Sequence, residues 1–250
     1  MKKIDQSVEA YQGGNVYDFD DSLVLHDYPK RIIKKMLKND DGMEIDKNSL
    51  NLLELGLGRG YSTEIFSSVF SDYTILEGDQ RIIDHYKEKH PKSNANIVNT
   101  YFETFADERK YDVIVMGFVL EHVDDPKYIL LKYKEFLNKK GGGRIFISVP
   151  NAESMHRQLA YLAGELPDMQ KLSDADIELG HKRYFTIETL KGLVKEAGLS
   201  IISIEGLFLK PLTTRQMVSL NFSQNYLEAF CKLGKDYPQL CSSILLECKG

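Results

Sequence analysis

Three glycines at alternate positions, Gly56, Gly58 and Gly60, stand in Leu53-Glu54-Leu55-Gly56-Leu57-Gly58-Arg59-Gly60. A short apolar run enters this cluster and a helical pattern leaves it. Glycine lets the main chain turn sharply and lets a ligand approach it closely. The N–H groups at the start of the next helix lie beside it. The same composition also suits a plain tight turn. A dinucleotide loop would read G-x-G-x-x-G, whereas here the third glycine comes one residue early. A P-loop is excluded, because no Gly-Lys-Ser/Thr follows. Glu54, so close to the loop, would repel a pyrophosphate and suits a positively charged ligand. Further on, Ile75-Leu76-Glu77-Gly78-Asp79 carries an acid where nucleotide-binding α/β folds hydrogen-bond ribose hydroxyls. Glu77 has acceptor oxygens for two vicinal hydroxyls, and Asp79 is the fallback.

Other side chains could do chemistry further along. His122, next to Glu121, titrates near neutrality and is the candidate general base; a structural or ligand-positioning pair is the alternative. Asn151, His156 and Arg157 follow an apolar strand-like run, and His181 and Arg183 close a polar stretch. His156, Arg157, His181 and Arg183 together suggest an anionic ligand such as a carboxylate or phosphate, with surface salt bridges as the plain alternative. The aromatic residues Tyr11, Tyr17 and Phe19 either fold over a ligand or staple the first helix to the core.

These residues need a frame, and the hydrophobic pattern supplies one. Strand-like runs fall at 51–55, 73–76, 96–98, 112–116 and 144–149. They alternate with helical spacing at 61–70, 80–90 and 126–138, which argues for a parallel sheet with helices on both faces. In an open sheet of this kind ligands bind beyond the carboxyl ends of the strands. A helix at 186–197 and a strand at 199–204 follow, then one helical stretch over 214–234 and a closing strand at 243–248. Within that stretch Met217, Leu220, Phe222, Tyr226, Leu227 and Phe230 read as packing. Pro29 is expected to open a first helix that Asn39-Asp40-Asp41-Gly42 breaks. The expected organisation is a single domain over 1–250, with an N-terminal helical segment at 1–50 and an insertion at 151–185 beside the ligand.

The 32 basic and 37 acidic residues give a formal charge of −5, which argues against a dedicated nucleic-acid binder. The longest apolar run, Val113 to Leu120, is too short for a membrane span. Cys231, Cys241 and Cys248 have neither metal-type nor disulfide spacing and are expected as reduced, buried thiols in the cytoplasm. No metal is expected.

With these residues in place, the chain resembles the class I S-adenosylmethionine (SAM)-dependent methyltransferases, over about residues 50–205. Glu54-Leu55-Gly56-Leu57-Gly58-Arg59-Gly60 is similar to that family's first motif, and Glu77 sits where its ribose-binding acid does. Asp112 to Val115 with Val119-Leu120-Glu121-His122-Val123, and Leu137 to Val149, resemble its fourth- and fifth-strand motifs. Ser148-Val149-Pro150-Asn151-Ala152 and Gly180-His181-Lys182-Arg183-Tyr184-Phe185-Thr186 are similar to bacterial type 11/12 small-molecule methyltransferases.

The resemblance implies a Rossmann-like, mostly parallel seven-stranded sheet with an antiparallel last strand. It implies SAM as cofactor and S-adenosylhomocysteine as product. Gly56, Gly58 and Gly60 would line the amino-acid end of SAM, with Glu54 near its ammonium. Glu77 would bind the ribose, Gly78 with Phe102 and Glu103 would flank the adenine, and Gly117 and Phe118 would pass the methionine portion. The aspartate usual after the third strand is absent, so Phe102 and Glu103 stand in for it. Tyr11, Tyr17, Asn151, His156, Arg157, His181 and Arg183 would meet the acceptor. The expected reaction is methyl transfer to an oxygen or nitrogen of a small polar acceptor, with an anionic acceptor and a homodimer left open and neither nucleic acid nor membrane as partner. An intramolecular displacement releasing methylthioadenosine, and a non-catalytic SAM-binding subunit, are the alternatives.

Overall fold

The computed structural model describes residues 18–37, 45–93, 95–139 and 142–250. Tyr11, Tyr17, the expected break at 39–42 and Gly141 lie outside the described residues. Seven strands form one sheet: β1 (Asn51–Leu55), β2 (Asp72–Glu77), β3 (Asn96–Asn99), β4 (Val113–Gly117), β5 (Arg144–Pro150), β6 (Ser200–Leu207) and β7 (Ser243–Lys249). Their order is β3-β2-β1-β4-β5-β7-β6. The first five pair in parallel, and β7 runs antiparallel to both β5 and β6. The chain reverses its direction of winding between β1 and β4, where an open sheet leaves a crevice for a ligand.

Both faces of the sheet are covered, because the central strands alternate buried residues to either side. Leu53, Leu55, Ile114, Met116, Ile145 and Ile147 face one core layer. It is closed by α4 (Pro126–Lys134) and α7 (Ile187–Glu196) through residues such as Ile129, Tyr133 and Leu190. Leu52, Val113, Val115 and Phe146 face the other. There α1 (Asp18–Met36), α2 (Tyr61–Ser67) and α3 (Gln80–Lys89) pack with Tyr28, Ile32, Phe66 and Ile82. By this parity Glu54, two residues after Leu52, points toward α1.

The first helix is longer than the sequence suggested. Pro29 lies inside α1 rather than at its first turn. Proline in a helix interior withdraws a main-chain donor, and the burial of Tyr28, Pro29 and Ile32 offsets that loss. Ion pairs then fix where α1 lies. Arg31 donates to the carbonyls of Gly206 and Cys231 at 2.9 and 2.7 Å, and Lys35 pairs with Glu205 at 2.8 Å and Glu247 at 3.1 Å. The N-terminal half of α1 is thereby held over the carboxyl ends of β1 and β4.

The stretch 151–185 carries two short helices, α5 (Met155–Leu162) and α6 (Asp174–Glu178). An isolated parallel bridge from Asn151 to Phe185 brings its two ends together. The expected helix over 214–234 is two, α8 (Thr214–Ser219) and α9 (Gln224–Gly234), with Asn221 at φ 48° between them. Met217 is buried, and Phe222, Leu227 and Phe230 pack on the core. Leu220 and Tyr226 are instead exposed, because the break between the helices turns them outward.

Candidate active site

A cavity of about 1020 Å³ opens at the carboxyl ends of β1, β2, β4 and β5. Ligand pockets ordinarily span about 300–1,000 Å³, so it has room for a nucleoside-sized ligand and a second small molecule. Gly56, Gly58, Gly60, Glu77, Gly78, Phe102, Glu103, Gly117 and Phe118 all line it. The glycine loop begins where the Gly56 N–H donates to the Leu76 carbonyl at 2.8 Å. Gly60 has φ 78°, and a Cβ there would overlap the ring of Tyr86. Glycine is therefore required at this position for both conformation and space. Gly60→Ala is expected to destabilise the protein by roughly 2–5 kcal/mol, combining overpacking with backbone strain. A thermal melt checks this, at about 2–4 °C per kcal/mol for a chain of this size. A wild-type Tm would show that Tyr86 can step aside.

Glu77 ends β2 and is 8% exposed. Its carboxylate accepts the N–H of Leu57 at 3.1 Å and of Asp79 at 2.9 Å. Burial raises its pKa, and these main-chain donors oppose the rise. Asp79, the fallback, caps α3 and pairs with Arg81 at 2.5 Å, which leaves it outside the cavity wall. Phe118 has φ 58°, a left-handed conformation that is costly for a non-glycine residue and is found at functional sites. Glu54 is placed differently from the loop it precedes. It is 1% exposed and stands one layer behind the cavity wall. There it accepts a hydrogen bond from the Tyr73 hydroxyl, and burial pushes its pKa up to about 7.

The cofactor implied by the resemblance fits these residues. An added methyl at Gly58 would meet nothing within 4 Å, so the loop presents bare backbone to the cavity. Glu77 keeps lone pairs beyond its two main-chain bonds, and Phe102 offers an aromatic face on the same wall. When bound, SAM supplies a methyl group already activated by its sulfonium.

On the other side of the cavity the charged residues sort into two groups. Arg157 and Arg183, expected to hold an anion, are spent on the fold. Arg157 donates from Nε and Nη2 to the Met169 carbonyl and from Nη2 to that of Lys171, and its Nη1 reaches the Tyr184 hydroxyl at 3.2 Å. Arg183 donates to the carbonyls of Leu120, Val123 and Asp124 and does not line the cavity. Asn151 lines the cavity but ties down the chain before β7, donating to the Cys241 carbonyl at 2.9 Å and accepting from the Glu153 N–H. His156 lines the cavity, and its Nδ1 has no hydrogen-bond partner among the described residues. Burial and the positive charges of Lys210 and Arg157 lower its pKa to about 3, so it is neutral. Of the four expected anion ligands, Arg157, Arg183 and His156 thus offer no free cation, which leaves His181.

The second group is titratable and close together. His122 and His181 meet edge to face, with ring centroids 4.8 Å apart. His122 Nδ1 lies 3.3 Å from the Gly180 carbonyl, and burial with the charge of His181 lowers its pKa to about 3. That is too weak for the base expected of it. His181 is the opposite case. Its Nδ1 lies 3.2 Å from Asp176 Oδ1 as an ion pair. Asp176 is itself held by the Ser173 N–H and hydroxyl and by the Tyr184 hydroxyl, at 2.8, 2.6 and 2.7 Å. Burial works against the charged form of His181, but Asp176, Glu121 and Asp21 outweigh it and raise its pKa. Glu121 is fully buried, neither carboxylate oxygen has a hydrogen-bond partner among the described residues, and burial pushes its pKa up to about 7. Glu121, His122 and His181 bring one donor atom each within 4.8 Å of one another, a spacing that suits shared protons as well as a cation.

Sequence reasoning missed the residues that α1 contributes. Arg59 of the glycine loop pairs with Asp18 at 2.5 Å and Asp21 at 3.5 Å. Asp21 lines the cavity, and burial pushes its pKa up to about 6. Lys210, also on the wall, pairs with Asp20 at 2.5 Å. Phe19 meets Phe208 edge to face at 6.3 Å and packs in the core rather than over the cavity. The arginine inside the glycine motif was one available signal; the acids that meet it lie some forty residues earlier, with no local pattern to mark them.

Comparisons with known proteins agree with this geometry. A family profile described as a methyltransferase domain matches residues 24–204. The ubiquinone biosynthesis O-methyltransferase of Hydrogenovibrio crunogenus is 24% identical over 185 residues, covering 72% of this chain and 75% of that protein. A crystal structure of an S-adenosylmethionine-dependent methyltransferase from Mesorhizobium loti superposes with a TM-score of 0.59 at 14% identity, covering 90% of this chain and all (100%) of the other. The N-methyltransferase NodS from Bradyrhizobium japonicum superposes with a TM-score of 0.54 at 13% identity, over 94% and 98% of the two chains. At such identities the superpositions speak for the fold. Among the described residues no helix is long and apolar enough to cross a membrane.

Proposed function

From the premise that the chain belongs to the methyltransferase-domain family and is an S-adenosylmethionine-dependent methyltransferase, we propose that it methylates a hydroxyl oxygen of a small polar molecule, with His181 taking the proton. The observation that carries the acceptor side is the Asp176–His181 pair on the cavity wall. A hydroxyl must lose its proton as it is methylated, and a positioned base of suitable pKa is what such a site needs. Asp176 orients the imidazole and stabilises its protonated form.

In this reading the glycine loop and Glu77 hold the cofactor, and Phe102 covers its base. The helix α1 closes over the cavity through the Arg59–Asp18 and Lys210–Asp20 pairs and keeps water from the reacting groups. Much of the acceleration in such a transfer comes from alignment, and a wall built from α1, the loops after β4 and β5, and α6 serves that end. The commitment of Arg157 and Arg183 to main-chain carbonyls favours an uncharged acceptor face over an anionic one. Three buried free thiols, Cys231, Cys241 and Cys248, support a reducing compartment such as the cytoplasm.

The test is calorimetric titration with SAM and S-adenosylhomocysteine, then incubation of enzyme and SAM with a library of hydroxylated metabolites, read by mass spectrometry. S-adenosylhomocysteine with a product one methyl heavier supports the proposal. Methylthioadenosine with no methylated product would replace it with the intramolecular displacement. Binding of neither ligand would remove it.

A further inference from the structure

We propose that the acceptor is a hydroxylated monocarboxylic acid, and that Arg215 holds its carboxylate with Lys210 beside it. This deepens the reading above and rests on it: the same cavity takes the acceptor, and the reacting hydroxyl goes to His181.

The lysines and arginines on the cavity wall differ in what they already hold. Arg59 pairs with Asp18 and Asp21, and Lys182 pairs with Asp124 at 2.6 Å. Arg157 donates to the Met169 and Lys171 carbonyls, and Lys210 pairs with Asp20 at 2.5 Å. Arg215 also lines the cavity, and it has neither a hydrogen bond nor an ion pair among the described residues. Its guanidinium is a planar fork that meets a carboxylate in two parallel bonds.

Lys210 and Arg215 share one corner of the wall. Lys210 precedes α8, and its Nζ donates at 2.6 Å to the hydroxyl of Thr214, the residue next to Arg215. The Lys210 side chain is 6% exposed. Asp20 and Thr214 take two of its donors, and an ammonium has three. One N–H remains. Asp20 neutralises one of the two cations, so the corner keeps a single net positive charge. That suits a monoanionic carboxylate better than a doubly charged phosphate. The arginines near His181 are spent on carbonyls, so the acid belongs at α8 and the reacting hydroxyl at His181.

Polar atoms without partners lie along the same wall. Ser154 is fully buried at the N-cap of α5, yet its hydroxyl does not cap that helix. Its Oγ and the Nδ1 of His156 have no hydrogen-bond partner among the described residues, and both residues line the cavity. Lys210 and Asp176 both act on the charge of His156, which sets it between the α8 corner and the His181 pair. A buried polar group left unpaired costs free energy, and hydroxyls on the acceptor would satisfy both atoms.

The experiment uses the protein saturated with S-adenosylhomocysteine. It is titrated calorimetrically with salicylate, mandelate and gluconate, and with the primary amide of each, which keeps the hydroxyls and loses the charge. At least one acid is expected to bind about ten-fold or more tighter than its amide. Arg215→Gln should weaken that acid by about five- to ten-fold, the span from an ordinary exposed ion pair to a bidentate one, and leave the amide unchanged. Arg215→Lys should recover part of the loss, because it keeps the charge without the fork. Arg215 is exposed, so the Tm and the affinity for S-adenosylhomocysteine should match the wild type in both variants. Ser154→Ala should weaken acid and amide alike. Equal affinity for acid and amide would overturn the proposal, as would wild-type affinity for the acid in Arg215→Gln. Binding of none of the acids by the loaded protein would also overturn it. Loss of S-adenosylhomocysteine itself in Arg215→Gln would give the guanidinium to the cofactor's carboxylate and overturn it too. If the wild-type protein bound no S-adenosylhomocysteine, the cofactor reading would fall, and this inference with it.

Discussion

His181→Ala is expected to lower kcat on a hydroxyl acceptor by about 10²–10⁴, the usual contribution of a positioned base, while S-adenosylhomocysteine binds as in the wild type. The imidazole lies on the cavity wall, 3.2 Å from a carboxylate that three other donors hold in place. Burial would raise the pKa of that carboxylate, but its pairing with His181 and the hydrogen bonds from Ser173 and Tyr184 hold it well below the usual range. A fixed negative charge raises the pKa of His181. The working form of a base is its neutral form, which grows as pH rises. The acid limb of kcat/KM should therefore rise through a pKa above the ordinary imidazole value. Asp176→Asn removes the charge, so the limb should move to lower pH while the rate falls. A pH–rate series on wild type, Asp176→Asn and His181→Ala with the acceptor found in the metabolite screen checks both. Full turnover by His181→Ala would discard it as base. The same loss in His122→Ala with none in His181→Ala would return the role to His122, against its depressed pKa.

Glu77→Ala is expected to weaken S-adenosylhomocysteine by on the order of a hundred-fold or more. Hydrogen bonds to a charged group are worth about 1.5–3 kcal/mol each, and about 1.4 kcal/mol is ten-fold in Kd. A carboxylate has about four lone-pair sites. The Leu57 and Asp79 N–H groups take two, and two remain for vicinal ribose hydroxyls. Alanine removes these and also strands two buried main-chain donors, one of them inside the glycine loop. Glu77→Gln keeps one acceptor oxygen and should lose less. Burial raises the pKa of Glu77, and the ionised form is the one that accepts both hydroxyls. Affinity should therefore fall as pH drops through a value above the ordinary carboxylate range. Calorimetry with a melting curve for each variant measures this. Unchanged affinity in Glu77→Ala would move the ribose elsewhere on the wall.

The glycine loop and Glu77 were legible because their meaning is local. A strand that ends in Gly56 to Gly60 and a strand that ends in Glu77 must bring those residues together once the two strands pair side by side, and their register pairs Leu55 with Leu76. The β-branched run at 113–115 likewise announces a strand buried on both faces, and right-handed βαβ winding leaves few other arrangements. The antiparallel last strand followed from the family resemblance, not from the spacing.

The acceptor side was not legible in the same way. Arg183 is bound to carbonyls about sixty residues earlier in the chain, and Arg157 to a loop whose path no periodicity encodes. Nothing in Gly180-His181-Lys182-Arg183 distinguishes the histidine that faces the cavity from the arginine that turns to the main chain. His122 and His181 are the same residue type beside charged neighbours, and their opposite pKa shifts arise from what surrounds each after folding: burial and a neighbouring cationic ring for one, the Asp176 carboxylate for the other. Glu54 read as a ligand-facing acid because it adjoins the loop, yet the two-residue period of β1 turns it behind Tyr28. Sequence by itself determined the strands, the loop and the acid at the end of β2, since hydrophobic period and glycine spacing act over a few residues. Only the tertiary structure decided which charged side chains are free to meet a ligand, because a side chain's partners, burial and pKa come from segments that the chain brings together from far apart.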